Sequence, residues 1–215
     1  MRHHRGMPAP RRPRPALLAI AALLAGGGAA AQPRTYTLDP DHSWVHFEVM
    51  HFGTSTSRGR FGPIAGEVLL DPGAGSGALR LRIATGSVDT GLPFFDSRLK
   101  RDDLLASDEH PHAEFAATDW RFDGGRVAAV TGDFTLRGVT RPLTLRALQF
   151  ACRQDGTRGE VCGGDFGATF YRTTYGIWYG WPFIANTVRL LVQVEGVRPS
   201  ESRPGSGASG PGSQN

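Results

Sequence analysis

The segment Asp39-Pro40-Asp41-His42-Ser43-Trp44-Val45-His46-Phe47-Glu48-Val49-Met50-His51 is dense in groups that do chemistry: histidine, serine and carboxylates. A serine nucleophile with a histidine base and an acidic orienter needs three groups that converge in space. Asp41, His42 and Ser43 are instead adjacent in the chain, the wrong arrangement for such a triad. A shared metal ion fares no better. On a strand, His42 and His46 stand roughly 13 Å apart, at ~3.3 Å per residue. His51 falls on the opposite face from both. The pair His110 and His112 flanks Pro111, and the carboxylate pairs Asp102-Asp103 and Asp108-Glu109 sit in polar surroundings that favour solvation. The chain has no Gly-x-Ser-x-Gly, no Walker loop, no dinucleotide fingerprint after a strand and no His-Glu-x-x-His. These residues name no catalytic group, no metal ligand and no cofactor, and the expectation is a protein that is not an enzyme.

The elements around these residues are more informative. Val45, Phe47 and Val49 point one way and Trp44, His46 and Glu48 the other, the period-2 signature of a strand with one buried face. The same alternation returns at Leu79, Leu81 and Ile83, at Gly132, Phe134 and Leu136, and at Leu143, Leu145 and Ala147. It returns last at Val188, Leu190, Val192 and Val194, with Leu191 an outward exception. Turns rich in Gly, Pro and Asp separate these runs, at Asp71-Pro72-Gly73, Asp123-Gly124-Gly125 and residues 138–142. The spacing predicts an all-β, antiparallel sandwich or barrel. One segment breaks the rule. Phe95, Leu99, Leu104 and Leu105 lie near helical spacing before Pro111, which predicts one or two short helices crossing an end of the sheet.

Residues 1–31 read as a secretory signal peptide. Five arginines and no acidic residue precede an apolar run over 16–25, and Ala29-Ala30-Ala31 supplies the small residues before a cut at Gln32. Ten apolar residues rise only ~15 Å as a helix, half of a bilayer core. No cysteine marks the cut, which argues against a lipid anchor. The chain carries 24 basic and 20 acidic residues; without the five leader arginines the remainder has a net charge of −1. The basic balance belongs to the leader and gives no reason to expect nucleic acid as a partner. Residues 32–198 are expected to form one domain, and 199–215 are too polar to offset the entropy of ordering. An export signal places the domain in the periplasm. Cys152 and Cys162 suit that oxidising compartment: the turn-forming pairs Asp155-Gly156 and Arg158-Gly159 between them predict a hairpin that brings the two within disulfide reach.

Tyr171, Tyr175, Ile177, Trp178, Tyr179, Trp181 and Phe183 exceed what one strand face buries. Two readings stand side by side, a loop folded over the core and a rim or lid for an apolar ligand.

With the strands placed, the ordered motifs resemble the YceI-like family of secreted bacterial proteins. The residues that carry the resemblance are Asp39-Pro40-Asp41-His42-Ser43 with Val45, Phe47, Val49, His51, Phe52 and Gly53, then Gly59-Arg60-Phe61 and Gly66-Glu67-Val68. Ser87-Val88-Asp89-Thr90-Gly91, the Asp96 to Leu105 crossover with His110-Pro111 and Phe115, and the block Gly132 to Leu143 follow in the same order. The cysteine pair and Tyr175-Gly176-Ile177 have counterparts in a subset of members. The sequence differs from the family pattern at Ser107-Asp108-Glu109, where aromatic residues are common. The resemblance implies an extended, lipocalin-like antiparallel β-barrel with a short helical crossover, whose lumen holds a polyisoprenoid or quinone-like lipid. The lumen-facing residues expected are Val45, Phe47, Val49, Leu81, Ile83, Phe134, Leu145, Leu190 and Val192, to which Trp178 and Trp181 are added. A second copy of the chain remains open as a partner. Alternation leaves open whether the barrel is hollow or filled, because both share the pattern, so two alternatives stand beside lipid binding: an enzyme acting on a small amphipathic substrate, and a stress-related interaction protein with a filled barrel.

Overall fold

In the computed structural model, which describes residues 33–199, ten strands join in one antiparallel sheet that closes on itself. They are β1 (Arg34–Leu38), β2 (Trp44–His51), β3 (Ser55–Phe61), β4 (Ala65–Asp71), β5 (Ser76–Ala84), β6 (His112–Asp123), β7 (Arg126–Leu136), β8 (Val139–Asp155), β9 (Gly159–Tyr171) and β10 (Ile184–Arg198). The order β1-β4-β5-β6-β7-β8-β9-β10 returns from β10 to β1, which makes a closed barrel of eight strands. The β2–β3 hairpin prolongs the wall, with β2 paired to β10 beyond the end of β1. The signal-peptide expectation for 1–31, and all but the first residue of the 199–215 tail, lie outside the described residues. Among the described residues no helix is long and apolar enough to cross a membrane.

The first part of the histidine-containing motif, Asp39 to Ser43, is a corner. Asp39 accepts from the Asp41 backbone N–H (3.0 Å) and caps a single 3-10 turn over Pro40–His42, which breaks the first stave into β1 and β2. Ser43 is fully buried; its hydroxyl donates to the Glu195 carbonyl (3.3 Å) and accepts from the Glu195 N–H (3.2 Å), fixing the corner to β10. The Gly-Arg-Phe motif is steric. A Cβ on Gly59 would lie 2.5 Å from the Phe47 ring, so only glycine lets that ring lie flat across β3.

β3 does not pair with β5. The chain after β5 fills the space instead, through a two-way backbone bridge between Arg60 and Asp89 (2.9 Å each way). Helix α1 (Pro93–Leu99) follows, with Pro93 in its first turn where a missing N–H costs nothing. Asp96 ties α1 back by accepting from the Thr90 N–H (2.8 Å) and hydroxyl (2.6 Å). Arg137, in the tight β7–β8 turn, donates to the carbonyls of Asp102 and Leu104 (2.5 and 2.6 Å) and holds the end of the crossover. The predicted short helical crossover is present, at one end of the barrel.

The opposite end is much more closely filled. Tyr36, Leu38, Leu70, Val127, Val130, Cys162 and Phe166 fill it. Glu160 closes the bottom, accepting from Arg34 (3.0 Å), Arg198 (3.1 Å) and the Tyr36 hydroxyl (3.0 Å). Burial alone raises the Glu160 pKa, but the bonds from Tyr36 and Arg198 and the nearby guanidinium charges outweigh it and hold the carboxyl below its ordinary range. Cys152 and Cys162 are directly opposed on β8 and β9 and form the expected disulfide.

Candidate functional site

The barrel is hollow in its other half. A cavity of about 600 Å³ runs from the middle of the barrel to the end covered by α1, and a pocket of about 60 Å³ shares Leu81, Leu145 and Val192 with it at the packed end. Such a volume is within the range of small-molecule sites. It exists because the inward positions of neighbouring staves are apolar in register: Phe47 faces Leu190 across β2 and β10, and Leu81 faces Phe115 across β5 and β6.

Val45, Phe47, Val49, Leu81, Ile83, Phe134, Leu145, Leu190 and Val192 all contribute to the cavity wall. Trp178 and Trp181 do not, which corrects their placement in the lumen: they stand on the rim, 60% and 49% exposed. The reason is Arg172, at the end of β9, which the sequence reading did not single out. It is 4% exposed and donates to four backbone carbonyls, those of Ile177 (2.9 Å), Tyr179 (2.8 Å), Ile184 (2.8 Å) and Ala185 (2.9 Å). This clamp draws the loop backbone onto the guanidinium, with Ile177 buried beneath and the indoles left outside. Burial lowers the Arg172 pKa. Arg98 of α1 braces the same loop from above, its guanidinium 4.1 Å from the Tyr179 ring centre and paired with Asp103 (2.6 and 2.7 Å). The bond to Asp103 raises the Arg98 pKa, so it stays charged.

The crossover and the β6 and β9 staves supply wall residues that were not expected as a site: Phe95, Leu99, Leu104, Leu105, Phe115 and Phe170. Alternation of Ala113 with Phe115, and of Phe166 with Phe170, was there to be read on those two staves. The crossover residues carry no such signal, since a helix over the end of a barrel covers a solid core and a hollow one alike.

Polar groups on the wall are few: His51, Ser57, Thr85, Arg98, Arg172 and Tyr179, with no carboxylate and no cysteine. The wall thus offers an apolar chain few directional partners. His42 is exposed and His46 faces outward between Arg60 and Leu191, so the three histidines of β2 and its corner do not converge. Asp39, His42 and Glu195 do bring ligand atoms within 4.8 Å of one another. Arg158 already sets a guanidinium against two of them, 2.6 Å from Asp39 and 3.8 Å from Glu195.

A YceI-like domain model matches residues 36–196, almost the whole of the described barrel. The chain belongs to the YceI-like family. A UPF0312 protein of Pseudomonas aeruginosa (strain LESB58) is 31% identical over 184 residues, covering 85% of this chain and 96% of the relative. One from Shewanella sp. (strain ANA-3) is 31% identical over 185 residues, covering 83% and 97%. Among solved structures, Burkholderia cenocepacia BcnA superposes with a TM-score of 0.64 at 20% identity, over 74% of this chain and 98% of BcnA. A polyisoprenoid binding domain from Saccharophagus degradans, implicated in plant cell wall breakdown, superposes with a TM-score of 0.53 at 18% identity, over 76% and 98%. Both share the YceI-like barrel.

Proposed function

We propose that this YceI-like protein is a secreted bacterial lipid-binding protein, working in the periplasm, that sequesters or carries a polyisoprenoid such as a quinone or prenyl precursor. The observation that carries the reading is the hollow, carboxylate-free cavity lined by Val45, Phe47, Leu81, Ile83, Phe134 and Leu190. A flexible acyclic chain gains about 0.8 kcal/mol per CH2 removed from water there, and a wall of branched and aromatic side chains accepts it without a directional partner. The polyisoprenoid binding domain with the same fold supports the ligand class. The role is binding rather than catalysis, and it calls for no cofactor beyond the lipid itself.

The test is extraction of the purified protein with organic solvent, mass spectrometry of the extract, and titration of the emptied protein with a prenylated quinone. An isoprenoid in the extract, or saturable binding at one site, is expected. Leu190→Trp, which fills the lumen, should weaken binding about tenfold or more while leaving the melting temperature unchanged or higher. No isoprenoid in repeated extractions together with no uptake of quinone rejects the reading.

A further inference from the structure

The cavity reaches the surface through side chains that line it and are themselves exposed: Phe52, Phe94, Tyr179 and Phe183. Around that mouth the apolar exposure continues. Leu92 and Phe94 stand on α1 and its lead-in, Phe52 at the β2–β3 turn stacks on Phe183 with ring centres 5.7 Å apart, and Trp178 and Trp181 project from the clamped loop. Phe94 is 87% exposed. Among the described residues, Leu69 and Leu148 are the large exposed hydrophobic side chains that lie away from this end. The three rim segments, 50–53, 91–95 and 177–184, contain no Asp, Glu, Lys or Arg. The opposite end is different in kind, with turns that begin at Asp71, Asp123 and Asp155 and run into Pro and Gly. The molecule thus has one aromatic face, in which the Arg98–Asp103 ion pair is internally balanced, and that face surrounds the entrance to an apolar cavity.

We propose that this rim docks on the surface of a phospholipid bilayer, seating the cavity mouth against the lipid so that an apolar chain passes between the two without crossing water. Indole and phenol rings favour the membrane interface, where their apolar bodies meet acyl chains and their polar edges meet headgroups. Rim segments without acidic or basic side chains, beside an Arg98–Asp103 pair that is neutral as a unit, match a zwitterionic surface and need no anionic lipid. Its depth is that of a few side chains, which fits reversible interfacial binding and not insertion. A second copy seated on the same face would cover the mouth through which the lipid has to move. Docking goes beyond lipid binding and is testable without the ligand.

The experiment mixes the full protein with phosphatidylcholine vesicles free of isoprenoid, some brominated in the acyl chains, and reads co-sedimentation and tryptophan quenching. Partition into the vesicles, with quenching lost in a Trp178→Phe, Trp181→Phe double variant, is expected. Leu92→Glu and Trp178→Glu, neither on the cavity wall, should each lower partition about tenfold, while Leu148→Glu, halfway down β8 and 61% exposed, should leave it unchanged. Three outcomes overturn the proposal: no partition by the unmodified protein, an equal loss with Leu148→Glu, or binding that needs anionic lipid and disappears in high salt. A dimer that Trp178→Glu dissociates, with no partition, assigns the face to a second copy instead. Because the vesicles hold no isoprenoid, failure here leaves the lipid-binding reading to its own extraction and titration.

Discussion

Arg172 brings a formal charge into the wall of an apolar cavity, and no carboxylate among the described residues pairs with it. Four carbonyl dipoles take that place, and in return the loop over 177–185 gains its position. Lysine is not equivalent, because a compact ammonium cannot span four carbonyls with a fixed planar fork. Arg172→Lys is expected to lower stability by roughly 2 kcal/mol as buried carbonyls lose their donors. It should also speed ligand release, because the loop over the mouth is no longer held; denaturant titration and the dissociation rate of a bound quinone read the two effects.

The elements divide into those that pairing alone explains and those that need a corner. β6 to β9 are consecutive hairpins whose inward positions follow from alternation. β1 with β2, and β3 with β4, are each one stave broken in two, by the Asp39–Ser43 corner and by the stretch from Gly62 to Ile64. That break lets β3 diverge from β5, and the gap is what α1 and its neighbours cover. The disulfide lies elsewhere, on the β8–β9 hairpin at the packed end. Replacing Cys152 and Cys162 together by Ala should cost about 2–3 kcal/mol in guanidinium unfolding, as expected for releasing so short a loop. Quinone affinity should be unchanged, since neither residue lies on the wall of the large cavity.

At the scale of the whole molecule, the barrel is closed by an ion-pair cluster at one end and opens through a ring of aromatic side chains at the other. Glu160, with Arg34, Arg198 and the Tyr36 hydroxyl, makes the closed end a titratable plug. Its folded pKa is depressed, so its stabilisation is fully present above the unfolded value of about 4.3 and is lost as pH falls through the lower folded value. Glu160→Gln should therefore destabilise the protein by roughly 2–3 kcal/mol at pH 7. The difference from the unmodified protein should narrow as the pH drops below about 4.3. Thermal melts across that range check it, and a constant difference would remove the carboxylate charge as the cause.

The sequence by itself determined the inward faces of β2, β5, β7, β8 and β10, the crossover and the cysteine pair, because each is a local pattern: a period of two, a turn, a run at helical spacing. Val45, Phe47 and Leu190 were legible as inward residues for that reason. The strand spacing used to separate His42 from His46 does not apply, because His42 closes the 3-10 turn ahead of β2 and is not on a strand. Only the tertiary structure decided that the barrel is hollow, because volume depends on how far opposite walls stand apart, and alternation is blind to that distance. It alone placed Trp178 and Trp181 outside the wall, since their direction follows from carbonyls gathered by Arg172 across up to thirteen residues of chain. It alone gathered Leu92, Phe52 and Trp178, distant in sequence and separately unremarkable, around one mouth.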